Sequence, residues 1–500
     1  MRTTLKIYLI FFPFLAYTQA TESLMDQLDM KQILLMHKEF VSIPNLPESK
    51  GLMLKNINWV ANQYNALDFK TTLLPSSTHP ILLAEKTYSA NYKTVLFYFH
   101  IDGQPVNPES WNQEDPFQPV LKETTPNGKW KSLDWNNLNN KINDEWRIFA
   151  RAAADDKAPI IMLISALKML NEQNINPNFN IKIIFDPEEE YGSEALLSTL
   201  EKYKKRYASD YFIVMDGPAH TSNKPTLTFG CRGIATCTIT TFGAKLPQHS
   251  GHFGNYVPNP VFSLSRLLTS MKDEQGRVLI KDYYKGIEID KSVESILTSV
   301  AFDSSKFNGE LGIYTSEKVG QGYQEALQYP SLNIRQIGTS WTGEKLKTVI
   351  PEYATASIDV RLVPEIDGAT QLQRIKAHIE KQGYYVIDRN PTDEERSTYP
   401  KIAKFVTSEI INAYRTDVNI DFGQKIKNSL STDFGFEPIT LRMMGGTVPI
   451  VPLIDKLDVP TIIVPMVNID NNQHSPNENI RIGNIRDGVK ICLSILSIDI

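Results

Sequence analysis

Cysteine is scarce. Three residues, Cys231, Cys237 and Cys492, are spread over a chain of 500. An odd number cannot all pair within one chain, so the fold is not a disulfide scaffold, and a core of this size needs none. An excess of one charge is lacking too. Lysine and arginine number 52 against 57 aspartate and glutamate, a formal net charge of −5. That balance carries no basic footprint for nucleic acid or for an anionic membrane surface. Beyond residue 20 no apolar run approaches the roughly 20 residues that a bilayer span requires. Internal repeats and low-complexity segments are missing as well. The absences leave an ordinary globular enzyme, and hydrophobic residues at 41% with charged residues at 22% fit that class.

The N-terminus carries a pattern of its own. Met1–Lys6 holds two positive charges, Ile7–Tyr17 is apolar except for Pro13, and Thr18-Gln19-Ala20 puts small residues where a signal peptidase reads. This layout predicts a secretory signal over residues 1–20 and a secreted or periplasmic mature chain with no membrane span. The apolar run, about eleven residues, is too short to serve as an anchor.

The length suggests two domains. Val95–Phe99, Ile181–Phe185, Tyr211–Met215 and Thr461–Val464 are short apolar runs that read as buried strands of a mostly parallel sheet. Pro159–Leu170 and Glu194–Tyr203 read as helices, and strand–helix alternation argues for a layered α/β domain. The middle of the chain differs. Thr236–Phe242, Thr355–Val360 and Tyr384–Ile387 read as strands, and Pro260–Met271 and Thr370–Gln382 as helices. The predicted fold class is therefore α/β with two domains. Residues 21–233 and 392–500 would form the catalytic domain around an inserted α+β module at 234–391, closed by the turn signal Asn390-Pro391-Thr392.

Several predicted strands end on a residue suited to a metal. Val95–Phe99 runs into His100-Ile101-Asp102, Ile181–Phe185 into Asp186-Pro187-Glu188-Glu189-Glu190-Tyr191-Gly192-Ser193, and Tyr211–Met215 into Asp216. Thr461–Val464 leads after a loop to His474, and Asp155-Asp156-Lys157 precedes a helix. Ligands of open α/β sheets bind at the carboxyl ends of the strands. Imidazoles and carboxylates delivered to that edge make a divalent-metal site. Each signal has a plain structural alternative: a hydrogen-bonded histidine, a solvated acidic turn, an aspartate capping the helix. Their joint occurrence at strand ends favours the metal reading.

The ordered set His-x-Asp, Asp-Asp-Lys, Glu-Glu-x-Gly-Ser, Asp, His-Ser-Gly and a late His resembles the M20 metallopeptidases, most of all the carnosinase-type dipeptidases. The likeness runs from about Thr94 to Asn479 and takes in Trp111, Asp115-Pro116-Phe117, His249-Ser250-Gly251-His252-Phe253-Gly254, Thr348-Val349-Ile350-Pro351, Arg361-Leu362-Val363-Pro364 and Gly445-Gly446-Thr447-Val448-Pro449. The resemblance implies a zinc-peptidase-like catalytic domain with an inserted lid that forms a homodimer. It implies two divalent ions, Zn2+ or Mn2+, on His100, Asp155, Glu190, Asp216 and His474, with Asp155 bridging them and its peptide bond to Asp156 cis. It further implies Glu189 as general base, Asp102 orienting His100, His249 stabilising an oxyanion across the dimer, and Arg361, Thr348, Gly446 and Thr447 binding the substrate, a small peptide. The sequence departs from the family in Ala150-Arg151-Ala152, where Gly-Arg-Gly is usual, and in about twenty extra residues at Pro126–Trp146. An amidohydrolase acting on N-acyl amino acids would share the same metal site, and a catalytically dead secreted binding protein is disfavoured because all five ligands and Glu189 are present.

Overall fold

A computed structural model describes residues 21–500 apart from 342 and 344–346. The leader expected at 1–20 lies outside the described residues. Two compact units divide the chain. One comprises the residues up to Phe229 with Thr416–Thr440 and Pro452–Ile500; the other comprises Gly230–Arg415 and Leu441–Val451.

The first unit is built on an eight-stranded sheet in the order Lys70–Leu74, Ile81–Lys86, Asn180–Asp186, Thr94–His100, Tyr211–Val214, Thr461–Ile463, Thr226–Thr228, Ile439–Leu441. Its four central strands are the apolar runs of the sequence, and they pair in parallel. Thr94–His100 is buried from its second residue to its last. That burial explains its unbroken apolar character, since a parallel strand packed on both faces has no polar side to show. Helix Lys157–Glu172 is buried over most of its length. It packs against Met30–Val41 and Ile482–Leu496. A four-stranded sheet, Asn479–Arg481, Arg147–Phe149, Val120–Thr124 and Trp130–Ser132, takes in part of the extra segment at Pro126–Trp146.

The second unit carries a five-stranded sheet in the order Asn333–Gly338, Tyr353–Leu362, Gly233–Phe242, Ile402–Ile411, Tyr385–Ile387. Helices Pro260–Thr269 and Gly368–Lys381 pack on it. Between them lies a core that includes Leu264, Leu267, Ile358, Val360, Leu372, Ile375 and Ile379. Strand Ile402–Ile411 pairs along Gly233–Phe242, so the second crossing of the chain falls at Arg415/Thr416 and not at the expected 391. The turn at Asn390-Pro391 lies inside the unit. The first crossing falls at Phe229/Gly230, a few residues before the expected 233. Among the described residues no helix is long and apolar enough to cross a membrane.

Candidate metal centre

The carboxyl ends of the parallel strands deliver the side chains. His100 closes Thr94–His100, Asp186 closes Asn180–Asp186, and Asp216 lies two residues past Tyr211–Val214. Glu189–Tyr191 forms a single 3-10 turn that ends on Gly192 at φ 91°, a left-handed conformation that glycine adopts without strain. The turn presents Glu189 and Glu190 together at the sheet edge.

Two donor groups result. His100, Asp155 and Asp216 form one, and Asp155, Glu190 and His474 the other; within each, the donor atoms lie within 4.8 Å of one another. Asp155 belongs to both. Its Oδ1 is 2.8 Å from His100 Nε2, and its Oδ2 is 3.2 Å from His474 Nε2. His474 Nε2 is also 3.1 Å from Glu190 Oε2. Among the described residues no other group of three or more such side chains offers this geometry. The peptide bond between Asp155 and Asp156 is cis.

The electrostatics show what the site is made to hold. Burial pushes the Glu189 carboxyl well above the usual range, with Asp216 and Glu190 adding to the effect. Burial and the charge of Asp155 push Asp216 up to about 7. Burial opposes the charge on Asp155, yet His100 and His474 outweigh it and hold that carboxyl low. His474, between Asp155 and Glu190, is raised to about 10. Two imidazoles cannot balance this many carboxylates in a buried place without drawing in protons. Two divalent cations would balance them, and the imidazole and carboxylate donors suit zinc or manganese. The residues fit a dinuclear centre.

Asp102 lies on the Nδ1 side of His100, opposite the Nε2 that faces Asp155. His100 Nδ1 lies 3.4 Å from Asp102 Oδ1, long for a hydrogen bond. The two Asp102 oxygens also accept the backbone N–H groups of Glu189 and Glu190, each at 3.0 Å. Asp102 thus pins the turn that carries both glutamates. Further contacts were not visible in the sequence. Gln104 Nε2 donates to Glu190 Oε2 at 2.7 Å. Glu188, the first of the three glutamates, turns away from the cluster and bonds His79 and Thr78, each at 2.5 Å.

The remaining expected residues lie in the second unit, in two groups. His249, on Gln248–His249, pairs with Val349 next to Thr348, and its Nδ1 accepts the N–H of Gly251 at 3.1 Å. The Thr348 carbonyl accepts the N–H of Ser250 at 3.3 Å. Arg361 Nη1 donates to Thr447 Oγ1 at 2.8 Å, and Thr447 Oγ1 donates to the carbonyl of Arg232 at 2.7 Å. Gly446 precedes Thr447 on the same loop, beside Met444.

Comparison with known proteins agrees with this geometry. The chain is 26% identical over 436 residues to the Cys-Gly metallodipeptidase dug1 of Schizosaccharomyces pombe, covering 86% of this chain and 83% of that one. It is 27% identical over 424 residues to the Beta-Ala-His dipeptidase of Homo sapiens, covering 82% and 76%. The structure of an M20 family metallo-carboxypeptidase from Sulfolobus solfataricus matches with a TM-score of 0.72 at 25% identity, over 93% of this chain and 98% of that one. The comparisons also correct one expectation: the secreted or periplasmic location rested on residues 1–20 alone, and the relatives that match most of the remaining chain do not support it. The model of peptidase family M20/M25/M40 matches residues 96–497. With the dinuclear donor set in place on that fold, the chain belongs to peptidase family M20/M25/M40 and is a metal-dependent peptidase.

Proposed function

We propose that the chain cleaves dipeptides and similar small peptides that end in a free carboxylate, using His100, Asp155, Glu190, Asp216 and His474 to hold two divalent ions. Asp155, shared by both donor groups at 2.8 and 3.2 Å, is the observation that supports it most. Bound ions supply Lewis acidity, which lowers the pKa of water and polarises the scissile carbonyl. Glu189 accepts the proton of the attacking water and returns it to the leaving amine. Asp102 fixes the backbone of both glutamates, so base and ligand keep one relative position. Arg361, tethered by Thr447, would hold the substrate carboxylate with its planar fork, and Thr348 and Gly446 would assist in binding it.

The same reading makes the enzyme a homodimer. Strand Asn333–Gly338 is an outer edge of its sheet and is exposed along nearly its whole length. Ile334 and Ile337 are 47% and 52% exposed. An outer strand that exposes two isoleucines in this way invites pairing with a second copy. His249 of the partner subunit would then donate to the oxyanion as the carbonyl is attacked. The names of the relatives, Cys-Gly metallodipeptidase and Beta-Ala-His dipeptidase, support a dipeptide over an N-acyl amino acid. A panel of free dipeptides and N-acetyl amino acids, assayed with added zinc or manganese, tests the assignment. Release of free amino acids from dipeptides is expected; turnover confined to the N-acetyl compounds would refute it.

A further inference from the structure

Glu478 has no role in the reading so far. It lies four residues after His474, and its side chain is 1% exposed. Its carboxylate is saturated. Oε2 accepts Arg151 Nη1 at 2.8 Å and the backbone N–H of Ala152 at 2.8 Å. Oε1 accepts the N–H of Ala154 at 2.9 Å and of Asp155 at 3.0 Å. The Glu478 carbonyl adds a fifth bond, from the N–H of Ala150 at 3.1 Å. Every donor lies in the segment that ends on Asp155.

One residue of that segment is strained. Ala152 has φ 58°, the left-handed region that a residue with a Cβ avoids. The Ala152 N–H on Glu478 Oε2 supplies the compensation that such a conformation needs. Glu478 also ties two distant parts of the chain. The loop bearing His474 and the loop bearing Asp155 are joined through one carboxylate, and those two residues stand 3.2 Å apart.

We infer that Glu478 is the positioning residue of the dinuclear centre. It sets the Asp155 carboxylate between its two histidines by gripping the backbone of residues 152–155, and it takes no part in the reaction itself. This inference rests on the metal reading of the site. Glutamine at 478 would keep the side-chain length and lose half the acceptors. Its amide oxygen can serve Ala154 and Asp155, but its NH2 would face two donors, the Ala152 N–H and the Arg151 guanidinium.

The test is titration of the metal-free protein with Co2+, followed by visible absorption, with circular dichroism to report folding. Wild type binding two Co2+ per chain establishes the reading of the site; wild type binding none sinks that reading and leaves Glu478 with nothing to position. Given two ions in wild type, Glu478→Gln is expected to fold, to bind the weaker ion about 10 to 100 times less tightly, and to shift the cobalt absorption. Its kcat should fall while KM holds. Adding Ala152→Gly, which removes the strain, should recover part of the affinity. Unchanged affinity and absorption in Glu478→Gln would overturn the inference, and so would a loss that Ala152→Gly leaves untouched. If Glu478→Gln does not fold, the double variant is measured in its place. Failure of the double variant to fold would make Glu478 a plain structural residue and would also overturn the inference.

Discussion

Replacing His37 by glutamine isolates one buried histidine whose behaviour follows from two atoms. His37 lies on helix Met30–Val41 and is wholly buried. Its Nε2 is 2.8 Å from the carbonyl of Ala153, and its Nδ1 has no partner. The neutral ring with its hydrogen on Nε2 fits this place. A second proton would put an N–H at Nδ1 in a buried position with nothing to accept it. Burial therefore lowers the pKa from 6.5 to about 4, the Ala153 bond opposing and Lys157 adding to the effect. The folded form binds this proton less readily than the unfolded chain does. Stability from this group is thus complete above the unfolded value and declines as pH falls through 6.5 toward 4. The two pKa values differ by about 2.5 units, which corresponds to about 3 kcal/mol in all, and about 2 kcal/mol of it is gone by about pH 5. Glutamine can still donate to the Ala153 carbonyl but does not titrate. Urea unfolding of wild type and His37→Gln at about pH 7.5, 6, 5 and 4 is the assay. The difference in stability between the two should move by about 2 kcal/mol in favour of the variant between about pH 7.5 and 5. A difference that stays flat across that range, or a His37 NMR titration with its midpoint near 6.5, would refute the reasoning.

Three further outcomes are expected. Glu189→Gln should keep both metals by elemental analysis while losing at least about a hundredfold in kcat, the scale of general acid–base catalysis, whereas Glu190→Gln should lose metal. A His249→Ala subunit mixed with a Glu189→Gln subunit, each inactive alone, should recover activity if His249 works across a dimer, since one site then carries both defects and the other neither; no recovery refutes the cross-subunit role. Gly233→Ala should destabilise the second unit by about 1 to 3 kcal/mol in thermal unfolding, because a Cβ there would stand 2.3 Å from the backbone oxygen of Ile411, and an unchanged Tm would contradict the close approach of those strands.

Much of the donor cluster was readable because its members follow runs of strand-forming apolar residues. His100 and Asp216 are each announced by such a run, and the order of the motifs supplied the rest. Glu478 was not readable, since its partners are mainly backbone N–H groups, which every residue but proline possesses and no motif records. The bonds from Asp102 to the backbone of Glu189 and Glu190 were hidden for the same reason. The second domain crossing was missed because Ile402–Ile411 is buried only over its first half and exposed beyond, so its pattern shows neither clean alternation nor a continuous apolar core. Strand Lys70–Leu74 escaped notice likewise; of its five residues only Leu74 is buried.

The place of Thr461–Ile463 in the eight-stranded sheet bears on how the protein is made. This strand lies between Tyr211–Val214 and Thr226–Thr228, yet the ribosome produces it some 250 residues after the first of them. Until then the nascent chain displays the open flank of Tyr211–Val214, the kind of unpaired strand that recruits chaperones or aggregates. By that stage His100, Asp155, Glu190 and Asp216 have all been synthesised, but the strand that completes the sheet beneath them has not, and neither has His474. On the proposed ligand set, a chain terminated before residue 461 would carry four of the five donors without the framework that aligns them.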